Sequence, residues 1–396
     1  MGASISKAVI KKELQKLKDD LENKNLQDVI EQSNNDLNLL KNTTLDIAIT
    51  GVAGAGKSSL VNALRGMPDY GEGAAETGDK QTTMERKKFP HPTSPNVTLW
   101  DLPGIGTPDF EPKKYLKKVN FKDYDFFIIV ASNRFTTNDA LLAREIQKMK
   151  KKFYYVRTKV DVSIDSERRK PDFVEEKCLE QIRTYCSDNL TQRRESVPMV
   201  FLISRWDLQM HDFPRLQETL ENDLDGLKRD VLIAALPAFS KEVLKKKKAT
   251  MDALIWKIAL VSCGIGTIPI PGLSLVCDIS ILVGTMSYFC KVFGLDADSL
   301  HRLANRVGKP IDVLRSAIKK SPMASQITTE YVTDLLTKSL LCGTVMAVEF
   351  VLDFVPVLGS LTGGALSFVT TFYILKSFLH DVEEDAENVR AKAAES

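Results

Sequence analysis

The apolar residues of this chain change their period twice, and the changes divide it into three parts. From Ile10 to about Leu40 they fall at Ile10, Leu14, Leu17, Leu21, Leu26, Val29 and Ile30, mostly in steps of three and four among Lys, Glu, Asp and Gln. That spacing predicts an amphipathic helix, broken near Asn23 to Asn25, whose narrow apolar stripe needs another surface to cover it. Between about Thr43 and Asp225, short apolar runs alternate with helical stretches; Leu45 to Thr50, Val97 to Trp100, Phe153 to Val156 and Met199 to Ile203 read as strands. Strands that alternate with helices predict a doubly wound α/β domain with a mostly parallel sheet.

Beyond Leu227 the pattern is helical again. Two uncharged runs, Ile258 to Cys277 and Phe354 to Leu375, match the roughly 20 residues that span a bilayer. Gly264, Gly266, Pro269, Pro271 and Gly272 interrupt the first, and Pro356, Gly359, Gly363 and Gly364 the second, with Asp278 and Asp353 at their borders. A Pro that opens and a Gly that closes each interruption predict a turn followed by an apolar helix of about 15 to 20 residues. Two helical hairpins then bury their faces on each other and on the N-terminal helix; a membrane-inserted hairpin is the alternative. Asp296 to Lys309 and Pro322 to Leu336 read as polar amphipathic helices, facing either a membrane surface or water, and Asp381 to Ser396 as a charged helix with a frayed end. The expected organisation is a helical segment at 1–42, an α/β domain at 43–225 and an all-α part at 226–396 that packs with the first.

Composition narrows the partners. Lys and Arg number 54 against 52 for Asp and Glu, so the chain as a whole carries no field that would draw it to nucleic acid, although Lys241 to Lys248 ends in four consecutive lysines. The six cysteines show no C-x-x-C spacing and sit in apolar surroundings, as reduced core residues do, and the four histidines are too scattered for a metal cluster. The charged first forty residues exclude a secretory signal and predict a cytoplasmic protein. Met1-Gly2-Ala3-Ser4-Ile5-Ser6 fits the N-myristoylation pattern at Gly2, a single chain that anchors only marginally without a second signal.

The chemistry begins at the end of the first strand. Gly51-Val-Ala-Gly54-Ala-Gly56-Lys57-Ser58-Ser59 is the phosphate-binding pattern G-x-x-x-x-G-K-S, set between a strand and a plausible helix. Its glycines let backbone N–H groups turn inward around a polyphosphate at the positive end of the following helix. Lys57 supplies a point charge for the β and γ phosphates, and the Ser58 hydroxyl a Mg²⁺ ligand. Gly71 to Thr83 is polar and Gly-rich, suited to a mobile switch; Thr77, Thr82 and Thr83 are its hydroxyls, with Thr83 assigned to the metal. Asp101-Leu-Pro-Gly104 follows the strand Val97 to Trp100 about forty residues after Lys57, so Asp101 is the second metal contact and Gly104 an N–H donor to the γ phosphate.

Thr158-Lys159-Val160-Asp161 reads the base. The Asp161 carboxylate accepts from both the ring N–H and the exocyclic amine of guanine, the Lys159 stem lies along the flat ring, and adenine leaves those polar groups unpaired. Ser204, after the strand Met199 to Ile203, is a further candidate near the base. GTP and GDP with Mg²⁺ are therefore the expected ligands, and an ATPase with the same loop is opposed by Asp161. Ile105 follows Gly104 where small GTPases keep a glutamine, so hydrolysis by the isolated chain should be slow and completed by a group such as Gln81 or by another molecule.

Together the phosphate loop, Gly-Ala-Ala-Glu-Thr77-Gly, Thr82-Thr83-Met84-Glu85-Arg86, Asp101-Leu-Pro-Gly-Ile-Gly-Thr107 and Thr158-Lys159-Val160-Asp161 resemble the interferon-inducible immunity-related GTPases of the GKS subgroup. The resemblance covers nearly the whole chain. It implies a GTPase that forms nucleotide-dependent dimers or oligomers through its GTPase domain, with itself or with related GTPases. It also implies peripheral association with intracellular membranes, of endoplasmic reticulum, Golgi or pathogen vacuole, and attack on vacuoles that enclose pathogens. Gln81 departs from the acidic residue expected of close relatives, and Ser204-Arg-Trp from the Ser-Ala-Lys of small GTPases. A nucleotide-gated binding module with incidental turnover is the competing function.

Overall fold

The computed structural model describes residues 25–78, 85–105, 111–132, 134–191, 199–206, 208–266, 273–342 and 362–395. Gly2, Gln81, Thr82 and Thr83 lie outside them, as do the two predicted Pro-Gly turns. The chain divides into two compact units, Thr43–Pro237 and a second made of Met1–Asn42 with Ala238–Ser396.

The helix α1 (Leu26–Asn42) precedes the first unit, which runs β1 (Leu45–Gly51), α2 (Lys57–Leu64), β2 (Lys87–Pro90), β3 (Val97–Asp101), α3 (Pro112–Lys118), β4 (Phe126–Ala131), α4 (Thr137–Lys148) and β5 (Lys152–Arg157). It continues through α5 (Val160–Glu167), α6 (Glu175–Thr191), β6 (Val200–Leu202), α7 (Phe213–Asn222) and α8 (Gly226–Ala235). The six strands lie in the order β2-β3-β1-β4-β5-β6. All neighbours are parallel except β2, antiparallel at the edge. Helices cover both faces of a parallel sheet, so the central strands lose their alternation: every residue of β4 is buried, and Leu45, Ile47, Ala48 and Ile49 of β1 are buried too. Register brings strand ends together, with Ile49 of β1 opposite Asp101 of β3, and Gly51 opposite Val130 of β4. Ligands of doubly wound sheets bind at such carboxyl ends.

The boundary expected at 225 falls instead at Pro237. The reason is α8, which lies against β1 and β3, buries Val231, Leu232 and Ile233, and ties Lys228 to Asp125.

The second unit gathers α1 with α9 (Lys241–Gly266), α10 (Leu273–Val292), α11 (Ala297–Val307), α12 (Ile311–Arg315), α13 (Thr329–Cys342) and α14 (Thr362–Ala394). It is the expected packed helical part. At Gly264 an added Cβ would come within 2.7 Å of Ile30 Cγ2, so one of the glycines that interrupts the apolar run admits the N-terminal helix. Lys257 pairs with Asp36 across the same contact at 2.6 Å.

Two helices differ from expectation. The apolar run and the charged tail are one helix, α14, because Phe368, Phe372, Leu375, Leu379, Val382, Ala386 and Val389 continue a single buried stripe at steps of four and three. The helix expected from Pro322 begins at Thr329: the buried Asp385 carboxylate accepts N–H bonds from Lys319, Lys320 and Ser321 at 2.9, 2.9 and 2.6 Å and holds the preceding chain in a turn. By contrast α11 matches, capped by Asp296, which accepts from Ser299 N at 3.0 Å, and closed by Gly308 at φ 66°. An 18-residue window within Asp278–Val307 has the length and apolarity to cross a membrane, with mean hydropathy 1.3. A turn at Gly294 divides that stretch into α10 and α11, and Leu282, Met286 and Phe289 of its first half are buried.

The lysine run packs through part of its length, while Lys241 and Lys245 stay exposed. Lys248 pairs with Glu383 of α14 and Lys241 with Glu387 at 3.9 Å, while Lys247 is buried and donates to the Val292 carbonyl at 2.7 Å. Burial pulls the Lys247 amine from its ordinary 10.5 down to about 7. Between those values the unfolded chain holds a proton that the folded chain has released, so this site's contribution to stability rises with pH from about 7 to 10.5 and is smallest below 7. The melting temperature of wild type, relative to Lys247→Met, is therefore expected to fall as pH is lowered from 10 to 7. A constant difference in thermal scans across that range would contradict the assignment.

Cys178, Cys186, Cys263 and Cys290 are free and buried. Burial raises the last three thiols to about 11, 11 and 12, which fits inert core residues.

Candidate functional site

A cavity of about 390 Å³ opens at the carboxyl end of the sheet. It is lined by the phosphate loop and the start of α2, from Ala53 to Ala63, and by Thr158, Lys159, Asp161 and Val162, together with Ile203, Arg205 and Trp206.

The loop's shape follows from its glycines. Gly51 sits at φ 139°, and a Cβ there would stand 2.0 Å from the Val130 carbonyl oxygen, so no side chain fits where β1 meets β4. Gly54 and Gly56 also take positive φ, 74° and 89°, which an L side chain rarely adopts and which turns the chain into the N-terminus of α2. Lys57 heads that helix and is 7% exposed, its Nζ donating to the Val52 carbonyl at 3.1 Å. Burial lowers the amine's proton affinity and the neighbouring Asp101 carboxylate opposes the shift, so a polyphosphate entering the loop supplies the counter-charge that burial withholds.

Ser58 donates to Asp101 Oδ2 at 2.6 Å, which joins the loop to the end of β3. A hydroxyl and a carboxylate side by side beneath the phosphate loop are hard oxygen donors, the set that suits Mg²⁺ completed by phosphate oxygens and water. Among the described residues no cluster of three or more His, Cys, Asp or Glu side chains offers another metal site. Gly104 lies against the same loop, where an added Cβ would approach Ala53 N at 3.1 Å. The turn before it is held from below: Tyr115 donates to the Pro103 carbonyl at 2.9 Å and accepts from Thr50 at 2.7 Å. Ile105 points into the core with no exposure and its N–H binds the Gly51 carbonyl at 3.2 Å, so no side chain there reaches a water molecule beside the γ phosphate.

The base-reading loop is locked to the phosphate loop. Thr158 is buried and its Oγ1 donates to the Ala55 carbonyl at 2.6 Å. Lys159 follows at φ 56°, a left-handed conformation uncommon outside glycine and of the kind stored at functional sites. That twist starts α5 at once and sets Asp161 in its first turn, half-buried on the cavity wall. Ser59 lines the cavity as expected and accepts from Arg205 Nη1 at 3.1 Å. Ser204 does not line it; its buried Oγ accepts the Trp206 N–H at 3.3 Å and shapes the turn instead.

The Gly-rich stretch after α2 is pinned over its described part, contrary to the reading of Gly71 to Thr83 as one mobile segment. Buried Asn62 exchanges two bonds with Ala75, at 2.7 and 2.9 Å, and donates to Asp69 at 3.0 Å, while Arg65 holds the Gly73 carbonyl at 2.8 Å. Ala75 is wholly buried as a result. Thr77 and Gly78, just beyond this anchor, line the cavity, while Thr83 lies outside the described residues. Sequence reasoning also missed Arg205 and Trp206, for which only a departure from Ser-Ala-Lys was visible.

A family model described as interferon-inducible GTPase matches residues 10–393. Interferon-inducible GTPase 5 of Rattus norvegicus is 42% identical over 89% of this chain and 76% of that protein. Interferon-gamma-inducible GTPase 10 of Mus musculus is 37% identical over 96% of this chain and 89% of its own length. Interferon-inducible GTPase 1 of the same species is 36% identical over 88% and 83%. Among solved structures, Toc33 of Arabidopsis thaliana is 15% identical, with a TM-score of 0.33 over 46% of this chain and 78% of that one.

Proposed function

The chain belongs to the interferon-inducible GTPase family, and from that membership we propose that it is a self-assembling effector of cell-autonomous immunity against vacuolar pathogens, whose GTP-bound copies join through their GTPase domains on intracellular membranes. It binds GTP and hydrolyses it to GDP and phosphate. The glycine loop and Lys57 hold the β and γ phosphates, Ser58 and Asp101 would hold Mg²⁺, and Asp161 selects guanine. When bound, Mg²⁺ neutralises charge on the β and γ oxygens.

The observation that carries the proposal is Ile105. With that side chain buried where a glutamine would orient the attacking water, this position supplies no water-orienting group and catalysis must be completed from elsewhere. A group supplied in trans is worth about 10³ to 10⁵ in rate, and a second copy of the GTPase domain is the simplest source. Membrane attachment is assigned to Gly2 acylation reinforced by a second contact, since one myristoyl chain binds only marginally.

Hydrolysis per molecule should rise steeply with protein concentration, together with GTP-dependent light scattering that GDP does not produce. Turnover that stays flat over a hundredfold range of concentration would favour the other reading, a nucleotide-gated scaffold or binding module whose GTP turnover is incidental.

A further inference from the structure

The rim of the cavity carries a large, exposed aromatic ring. Trp206 is 73% exposed, yet lines the nucleotide cavity on the loop that follows β6. The guanidinium of Arg205 lies over one face of the indole, 4.1 Å from the ring centroid. Arg205 is itself held twice, by Asp69 at 2.5 Å and by Ser59 at 3.1 Å, and Ser59 belongs to the first turn of α2 beneath the phosphates. An exposed tryptophan in contact with water on its open face gains nothing for folding, and a strut that fixes it beside a cavity is the arrangement of a stacking surface.

We propose that Trp206 is the outer stacking wall for the nucleoside of the bound guanine nucleotide, and that Arg205 is the positioning residue that holds it there. Asp161 and Lys159 stand on the base-reading loop and Trp206 on the neighbouring one, and both loops line the same cavity. Every purine has a π face, so stacking at Trp206 adds affinity and residence time without choosing the base, while the choice stays with Asp161. Through Ser59 and Asp69, the same strut connects the nucleoside end of the site to the loop that Asn62 pins.

The inference rests on a guanine nucleotide filling this cavity, and the test separates the two. Trp100 and Trp256 are the chain's other tryptophans, so GDP titration of wild type and Trp206→Phe, followed by tryptophan emission with calorimetry in parallel, isolates Trp206. Wild type should change emission on binding and Trp206→Phe should not, while its GDP affinity stays close to wild type because phenylalanine also stacks. Trp206→Ala should release GDP about tenfold faster, and Arg205→Ala should release it faster to a smaller degree. Normal calorimetric binding with a full emission change in Trp206→Phe, or with dissociation from Trp206→Ala within twofold of wild type, would overturn the role of Trp206 alone. No calorimetric GDP binding by wild type would overturn the nucleotide reading and the stacking wall together.

Discussion

Lys57→Ala should weaken GTP binding about a hundredfold, the effect of losing charge-assisted hydrogen bonds worth roughly 3 kcal/mol. The amine is already buried in the free protein, with Val52 O as its partner and proton affinity lowered by burial. Much of the desolvation cost is therefore met before the ligand arrives, and the triphosphate meets an oriented cation. Removing it takes a buried charge out of the fold, so the variant should melt near the wild-type temperature. Calorimetric titration with a non-hydrolysable GTP analogue, paired with a thermal scan, separates lost binding from lost structure. Wild-type affinity in a folded Lys57→Ala protein would remove the phosphate loop from the account.

Asp161→Asn should lower guanine affinity by about a hundredfold and leave adenine nucleotides as weak as before, so that selection falls by about the same hundredfold. A carboxylate accepts from the ring N–H and the exocyclic amine together, whereas a carboxamide offers one acceptor and one donor, which leaves the amine facing N–H groups. The same change should let the variant accept a xanthine nucleotide, whose C2 oxygen takes the amide proton that guanine cannot. Competition binding among the three nucleotides measures it. Unchanged preference for guanine would mean that Asp161 lines the cavity without reading the base.

Much of this site was legible in the residues because each part is a local event. A glycine that must avoid the Val130 carbonyl, a lysine that opens a helix, and an aspartate at the end of a buried strand all leave their mark within ten residues of sequence. The Thr158–Asp161 loop was equally plain, although its left-handed turn at Lys159 has no glycine to announce it. What escaped depends on contacts between distant residues. The anchoring of the Gly-rich stretch runs through Asn62 of α2 and Arg65 at its cap, polar residues whose partners lie beyond the helix.

The same reason explains the helical part. Lys247 lies within a run of like charges, and only the opposing glutamates of α14 show that part of the run is a helix contact. The tail continued the helix because its buried stripe keeps its period while the surrounding charges multiply, which masks the stripe in composition. Arg205 and Trp206 were seen only as a mismatch to another motif, since neither the ion pair with Asp69 nor exposure beside a cavity has a sequence signature.

The claim on which the rest depends is that this cavity holds a guanine nucleotide between the glycine loop and Asp161. Equilibrium competition between GDP and ADP for the purified full chain in magnesium tests it most directly. Preference for GDP of at least about a thousandfold is the expected result, in keeping with a site whose polar groups only one purine satisfies. Equal affinity for the two would contradict it.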